Sequence, residues 1–403
     1  MMPEINIGMV GHIDHGKTSL LKSLTGKWAS THSEELKRGI TIRLGYSSMI
    51  IHKCPKGELT VNETCISHNI KATPVRMISF VDAPGHETLM ATMLSGASVM
   101  DAAILVIAAN EKCPQPQTRE HLEALNIMGI SSVIIVQNKV DLVDDKRALE
   151  SYNEIKALIK GSIAQDAPII PMSALHDANL DMLLMAIEEL FKTPKRDLSK
   201  SPLMLVSRSF DVNKPGTKVG DFNGGVLGGI LKQGKLAVGD KITIMPGLKV
   251  EEGGRTKWVP IKTIIESISY EKGSVNEAVP GGNFGIATQL DPSIARGDSL
   301  SGSVVCTDDS IVSVFTDLMD LKPSLMNRVV GSSKELSLGN LKVGESLMIN
   351  AYTAKTLGLI TKVTPDKVTV NLKLPIAIVK GDKVAMSRFV SNKWRLSGSA
   401  VVL

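Results

Sequence analysis

The sequence predicts an α/β domain followed by two all-β barrels. Three observations predict it. In residues 1–200, short apolar runs alternate with helix-patterned stretches, which makes a parallel sheet covered on both faces. Near 192–202 the segment KTPKRDLSKSP, charged and with two prolines, breaks that rhythm as a linker does. Beyond it helical periodicity nearly vanishes, and short alternating strands are punctuated by glycine, as in GGVLGGILKQGKLAVGDKITIMPG and VPGGNFGIATQLDPSIARGDSL. Closed antiparallel barrels read this way. The expected domains are 1–200, with a small insertion at 52–70, then 201–310 for the first barrel and 311–403 for the second.

The elements of the first domain follow in order. Apolar runs of strand length lie at 5–10, 45–51, 77–81, 102–108, 133–137 and 169–172. Helical patterns lie between and after them, at 18–24, 87–95, 119–128, 147–160 and 180–191. A chain of 403 residues is longer than one core usually spans, which fits several domains. A composition 43% hydrophobic and 22% charged is that of a globular protein. The run AAILVIAA at 102–109 is a buried strand at most, so no membrane partner is expected. The first residues lack the charged and apolar regions of a signal peptide. Four cysteines in no framework of spacings point to a reduced, cytoplasmic protein.

Charge is uneven. The first 200 residues hold 21 Lys and Arg against 23 Asp and Glu, and the rest hold 25 against 18. The basic second half suits a polyanion, and solvated surface is the equal alternative. Aromatic residues are only 3%, so backbone and shape contacts to RNA fit better than base stacking.

Residues 11–18, GHIDHGKT, match G-x-x-x-x-G-K-[ST] between an expected strand and an expected helix. Gly11 and Gly16 let backbone N–H groups close around phosphates, with His12, Ile13, Asp14 and His15 forming the loop and Ser19 following it. Lys17 neutralises the outer phosphates, and Thr18 is a ligand for Mg²⁺. Three further segments follow strands in the order such a domain needs. In FVDAPGH, 80–86, Asp82 reaches the Mg²⁺ shell, by way of water, and the Gly85 N–H senses a γ-phosphate. In VQNKVD, 136–141, Asp141 accepts from guanine N1 and N2 while Asn138 and the Lys139 stem hold the ring. In MSAL, 172–175, the backbone of Ser173, Ala174 and Leu175 offers an N–H to guanine O6. Each segment alone is weak. Four in register, at the carboxyl ends of strands, identify a P-loop domain that binds GTP and GDP. Thr41, in KRGITI, adds a second hydroxyl for Mg²⁺ on a loop that γ-phosphate can order.

GHIDHGKT, RGITI, DAPGH and NKVD together resemble a translational GTPase of the elongation factor Tu class. The resemblance implies that His86 is the catalytic histidine that orients the attacking water, with Ile13 and Ile40 as the apolar gate beside it. Its alternative is a histidine capping the next helix. Asp14 and His15 belong to the same loop signature without a firm role. HSEELKRGITIRLGY, RSFDVNKPGT and PGGNFGIATQLDPSIARGD, with the long stretch from 82 to 129, are similar to the gamma subunit of archaeal translation initiation factor two and its eukaryotic relatives. The similarity runs essentially end to end. It implies a heterotrimer with alpha and beta subunits, and GTP-dependent delivery of initiator methionyl-tRNA to the small ribosomal subunit. A specialised elongation-type factor that delivers another tRNA is the alternative.

Two regions of that resemblance stay open. The family carries a zinc knuckle of two C-x-x-C pairs after the second strand, where this chain reads IIHKCPKGELTVNETCISHNI. Cys54 and Cys65 remain, Gly57 stands where one cysteine would be, and His68 stands where another would be. His52 is the candidate for a fourth ligand of Zn²⁺. The shortened knuckle is expected to have degenerated, with zinc binding as the alternative. Cys113 and Cys306 read as structural. For the tRNA, relatives hold the acylated end between the GTPase domain and the first barrel, which implicates Tyr46 and Arg208. Core packing of Tyr46 and a surface ion pair for Arg208 are equal alternatives.

Overall fold

A computed structural model describes residues 1–26, 45–83, 94, 99–214, 216, 223–271, 273–326 and 339–403. Ile40, Thr41, Gly85, His86 and nearly all of the helix expected at 87–95 lie outside the described residues. The described chain divides into two compact units, the first ending at Pro194 and the second holding both barrels. No described helix is long and apolar enough to cross a membrane.

The strands of the first unit are β1 (Asn6–Gly11), β2 (Gly45–Lys53), β3 (Leu59–Thr60), β4 (Thr64–Cys65), β5 (Ile70–Lys71), β6 (Thr73–Asp82), β7 (Ala102–Ala108), β8 (Val133–Asn138) and β9 (Ile169–Pro171). Seven form one sheet in the order β3-β2-β6-β1-β7-β8-β9, while β4 and β5 pair separately. From β6 to β9 the sheet is parallel. Every residue of β1, β7 and β8 is buried, so both faces are covered. One feature corrects the sequence reading of a parallel sheet. β2 runs antiparallel to β6, from Gly45 opposite Asp82 to Lys53 opposite Thr73. The segment between β2 and β6 holds only the short strands β3, β4 and β5, paired locally, and no helix that would carry the chain back across the sheet to a parallel neighbour.

The helices follow local rules. α1 (Lys17–Thr25) buries Lys17, Leu20, Leu21 and Leu24, one stripe at helical spacing. Gly26, at φ 71°, ends it by donating to Lys22 O. α2 (Pro116–Met128) begins earlier than the periodicity predicts because Pro116 fits the first helical position. α3 (Asp145–Ile159) is capped by Asp144, which accepts from Arg147 N at 2.8 Å. α4 (Leu180–Leu190) buries Leu183, Leu184 and Ile187. Leu20, Leu24 and Leu183 meet Ile7, Met9, Phe80 and Ile104 in one core.

In the second unit, one six-stranded ring runs Lys241–Glu252, Val304–Cys306, Leu203–Phe210, Val226–Gln233, Asn283–Thr288 and Arg255–Tyr270, then closes onto its first strand. The other runs Leu318–Leu325, Val368–Leu372, Ala354–Val363, Ser346–Ala351, Lys383–Val390 and Lys393–Val402, and also closes. Closure pairs the strands of each ring on both sides, and the short strand Gly273–Val275 adds onto Arg255–Tyr270 outside the first ring. Side chains alternate as a barrel wall requires: along Asn283–Thr288 every second residue is buried. The barrels are stapled together. Lys232 Nζ and Tyr352 Oη both bind the Asp382 carboxylate. Thr353 Oγ1 donates to Val206 O at 2.8 Å.

Gly229 shows how tightly the first ring is wound. A Cβ there would lie 2.0 Å from the Leu205 carbonyl oxygen, which a strand partner cannot withdraw. Gly229→Ala is expected to destabilise the fold by about 1–3 kcal/mol. Urea unfolding reads this as a lower midpoint, and an unchanged midpoint would show that the two strands are not so close.

Candidate nucleotide site

Sheet register gathers the site at one edge. Met9 lies opposite Asp82, Gly11 opposite Val106, Ala108 opposite Asn138, and Gln137 opposite Pro171. The four motifs therefore leave the carboxyl ends of neighbouring strands, where open α/β sheets bind ligands.

The loop between β1 and α1 has a backbone that its residue types permit. Gly11 takes φ 138°, and a Cβ on it would strike Val106 O at 2.3 Å. Asp14 takes φ 57°, a left-handed conformation that Asp tolerates better than most residues. Gly16 takes φ 88° as the residue before α1, and no side chain caps the helix there. A helix N-terminus of this kind, approached by glycine, is a site for phosphate. Gly16 also makes room for Asn138, whose Nδ2 would lie 2.2 Å from an added Cβ.

Lys17 opens α1, and its side chain turns back into the loop. Its ammonium donates to Gly11 O at 2.9 Å and to His12 O at 2.7 Å. Burial pushes its pKa down to about 8, while Asp82 and Asp14 pull it back up. Thr18 Oγ1 donates to the wholly buried Asp82 carboxylate at 3.4 Å. A hydroxyl and a carboxylate side by side are hard oxygen ligands, which suits Mg²⁺.

The two histidines divide their work. His15 is buried, and its Nδ1–H donates to Val106 O at 3.2 Å. Burial lowers its pKa to about 3, so the ring is neutral. Its bare Nε2 then faces Glu111 at 3.5 Å, which is proximity rather than an ion pair. His12 stacks edge-on against it, centroids 5.1 Å apart, and is also pushed below the usual imidazole value by burial. His12 offers Lys17 its backbone carbonyl, while Ile13 and Ser19 are half-buried.

On the base side, Asn138 joins two loops. Its Nδ2 donates to His15 O at 2.9 Å, and its Oδ1 accepts from Ala174 N at 3.0 Å. Lys139 takes φ 62°, and Asp141 follows in a short 3₁₀ turn with His176 at 3.9 Å. Ser173 and Ala174 are buried, and Leu175 is exposed.

Three segments of the chain match known families. Residues 2–193 match the elongation factor Tu GTP binding domain, 224–306 match elongation factor Tu domain 2, and 317–402 match initiation factor eIF2 gamma, C terminal. Translation initiation factor 2 subunit gamma of Methanocaldococcus jannaschii is 54% identical over 400 residues, covering 99% of this chain and 97% of that one. Its counterpart in Pyrococcus horikoshii is 52% identical over the same length and coverage. The chain belongs to the gamma subunit family of translation initiation factor 2. It is a GTPase of translation initiation and binds GTP and GDP. Among solved structures, a bacterial selenocysteine-specific elongation factor gives a TM-score of 0.76 at 23% identity, over 100% of this chain and 58% of that longer one. Elongation factor SelB of Methanococcus maripaludis, bound to GppNHp, gives 0.72 at 23% identity, over 99% and 78%. At that identity these likenesses show the fold.

The gamma-family insertion is organised differently from the sequence reading. Cys54, Cys65 and His68 place their ligand atoms within 4.8 Å of one another. His52 is not one of that group. It lies buried within β2, its backbone fixed opposite Thr60 and Pro74, before the turn that carries Cys54. Glu58 lies beside two of the three, its carboxylate 3.4 Å from Cys65 Sγ and 3.6 Å from His68 Nδ1. Cys113 and Cys306 are buried and their thiols are pushed up to about 12, chiefly by that burial. Tyr46 is half-buried in β2 opposite Val81. Arg208 is half-buried against Asp298, Nε to Oδ1 2.9 Å, and beside the Phe210 ring. Sequence reasoning missed Glu58 and also His121, a buried histidine of α2 that reaches the loop.

The depressed Lys17 value sets a pH dependence. Phosphate raises the pKa of a contacting ammonium, so binding takes up a proton wherever the free protein has lost it. Nucleotide affinity is therefore expected to fall as pH rises from about 7.5 to about 9, by at most about tenfold per unit. GDP titrations across that range, with calorimetry in two buffers of different ionisation heat, read the proton directly. A flat profile without proton uptake would show that this ammonium keeps an ordinary pKa.

Proposed function

We propose that this subunit, loaded with GTP, binds initiator methionyl-tRNA and brings it to the small ribosomal subunit, working in the cytoplasm with alpha and beta subunits. GTP hydrolysis to GDP then releases the tRNA. The observation that carries this reading is the match of the whole chain to initiation-factor gamma subunits, at half identity; the contacts of Lys17 with the carbonyls of residues 11 and 12 support it.

In this reading the chain's own residues divide the chemistry. Lys17 shifts an N–H from loop carbonyls to the β- and γ-phosphates. Thr18, Thr41 and Asp82, the last through water, would hold Mg²⁺, which would draw negative charge from the phosphate oxygens. The Gly85 N–H meets the γ-phosphate. Asp141 accepts from the guanine edge, Asn138 keeps the loops of His15 and Ala174 at fixed separation, and the Ala174 region meets O6. His86 orients the attacking water, shielded by Ile13 and Ile40. Support for these roles is the sequence pattern, together with the loop contacts of Lys17, Thr18 and Asn138. Tyr46 lies on β2, five residues after Thr41 in the sequence, which supports a role near the tRNA end. Arg208 is engaged with Asp298, so a contact to tRNA requires that pair to open.

GTP and tRNA should then be linked reciprocally, each raising the other's affinity by the same factor, typically about 5- to 150-fold. The basic second half adds a salt-sensitive background that does not depend on the nucleotide. Initiator methionyl-tRNA binding by the assembled factor, with GTP analogue and with GDP at two salt concentrations, measures the ratio. Thr41→Ala should reduce it and leave the background. Equal affinity in both nucleotide states would sink the delivery reading in favour of a GTP-binding scaffold.

For the insertion, we propose that Cys54, Cys65 and His68 hold Zn²⁺ with Glu58 in the fourth place. Two sulfurs, an imidazole and a carboxylate form an acceptable zinc set; the convergence of the first three, with Glu58 beside Cys65 and His68, supports it. Elemental analysis should find about one equivalent of zinc, and Cys65→Ser should lose it. Metal-free protein whose insertion resists proteolysis as well as the loaded form would establish degeneration instead.

A further inference from the structure

Gly11 ends β1 and begins the phosphate loop, and both of its peptide groups are held from outside. Its carbonyl accepts from Lys17 Nζ at 2.9 Å. Its N–H donates to Nδ1 of His121, 2.8 Å away, in the second turn of α2. A nitrogen that accepts carries no proton, so His121 is the tautomer with its proton on Nε2. The ring is 1% exposed and lies on the buried face of α2 with Gln117, Thr118, Leu122 and Leu125. That burial, with Lys17 nearby, keeps the ring neutral. The two partners stand 110 positions apart, and no motif links them.

We propose that His121 is a positioning residue of the GTPase: its Nδ1 fixes the Gly11 peptide and, through it, the turn that aims the loop at phosphate. Gly11 has no side chain to steady it, and its φ of 138° is open to few other residues. Two contacts outside its own backbone hold it. The Lys17 contact is the one that phosphate must share, because the ammonium serves the ligand too. The His121 contact is to the preceding peptide group, Val10–Gly11, and is independent of the ligand. Without an acceptor there, a buried N–H is left unsatisfied and the peptide rotates to find another partner.

The inference rests on residues 11–18 being the phosphate loop, so the test separates the two. In the full chain, His121→Phe keeps a ring and removes the acceptor. His121→Asn keeps an acceptor near the position of Nδ1. Release of a fluorescent GDP and of a fluorescent GTP analogue is timed in each variant, with Lys17→Ala as control. His121→Phe is expected to release both nucleotides about tenfold or more faster, and His121→Asn to recover most of the loss. ¹⁵N resonances of the parent imidazole should show a bare Nδ1. The proposal is overturned if His121→Phe holds nucleotide as long as the parent, if His121→Asn is no better than His121→Phe, or if Nδ1 carries the proton. A Lys17→Ala chain that binds as the parent does would remove the phosphate-loop reading itself.

Discussion

A buried ammonium governs the nucleotide site. Lys17 lies at the carboxyl end of an enclosed sheet, where a charge is costly unless oxygens answer it. Here two loop carbonyls do, and the carboxylates of Asp82 and Asp14 act on it from further away. The loop must curl to present those carbonyls, which is why Gly11, Asp14 and Gly16 all take left-handed or glycine-favoured backbone. The same curl leaves the start of α1 without a side-chain cap. A cation held in low dielectric and an open helix end then act together on phosphate.

That curl is stabilised from beyond the loop. Val106 O accepts from His15, Asn138 grips His15 O, and His121 takes the Gly11 N–H. Each tie comes from a different element: β7, β8 and α2. The guanine side shares one of them, since Asn138 also holds Ala174 N. Phosphate and base loops are thus registered by one buried amide. Its burial makes the geometry stringent, because a lost partner there leaves polar atoms without water. The histidines of the loop serve this architecture as neutral rings and backbone acceptors.

The barrels solve a separate problem. Each ring satisfies its own strand edges by closure, and glycines such as Gly229 allow the strands to approach. The two rings are then tied by Lys232, Tyr352 and Asp382, a partly buried charged contact of a kind that specifies a docking geometry more than it adds stability. In the first unit the insertion is held by short pairings, β2 with β3 and β4 with β5, with the thiol and imidazole cluster at their meeting point. Strands of two residues have little hydrogen bonding of their own.

The sequence alone determined what depends on adjacent residues. Eight consecutive positions, 11–18, specify a turn and the groups it presents, and the alternation of strands with helices specifies the layers of the first domain. Barrel strands announced themselves by period two and glycine turns. Tertiary structure decided what depends on contacts between remote positions. The direction of β2 is set by its antiparallel pairing with β6, which its own apolar run does not specify. Glu58 comes beside Cys65 and His68 while His52 stays within β2, because the chain past that strand folds back and brings 54, 58, 65 and 68 close. His121 meets Gly11 because α2 packs its buried face beside the end of β1, and in the sequence it is one more residue on an amphipathic helix. Local propensity fixes which elements form. Burial and polar satisfaction, which are properties of the packed whole, fix which side chains meet.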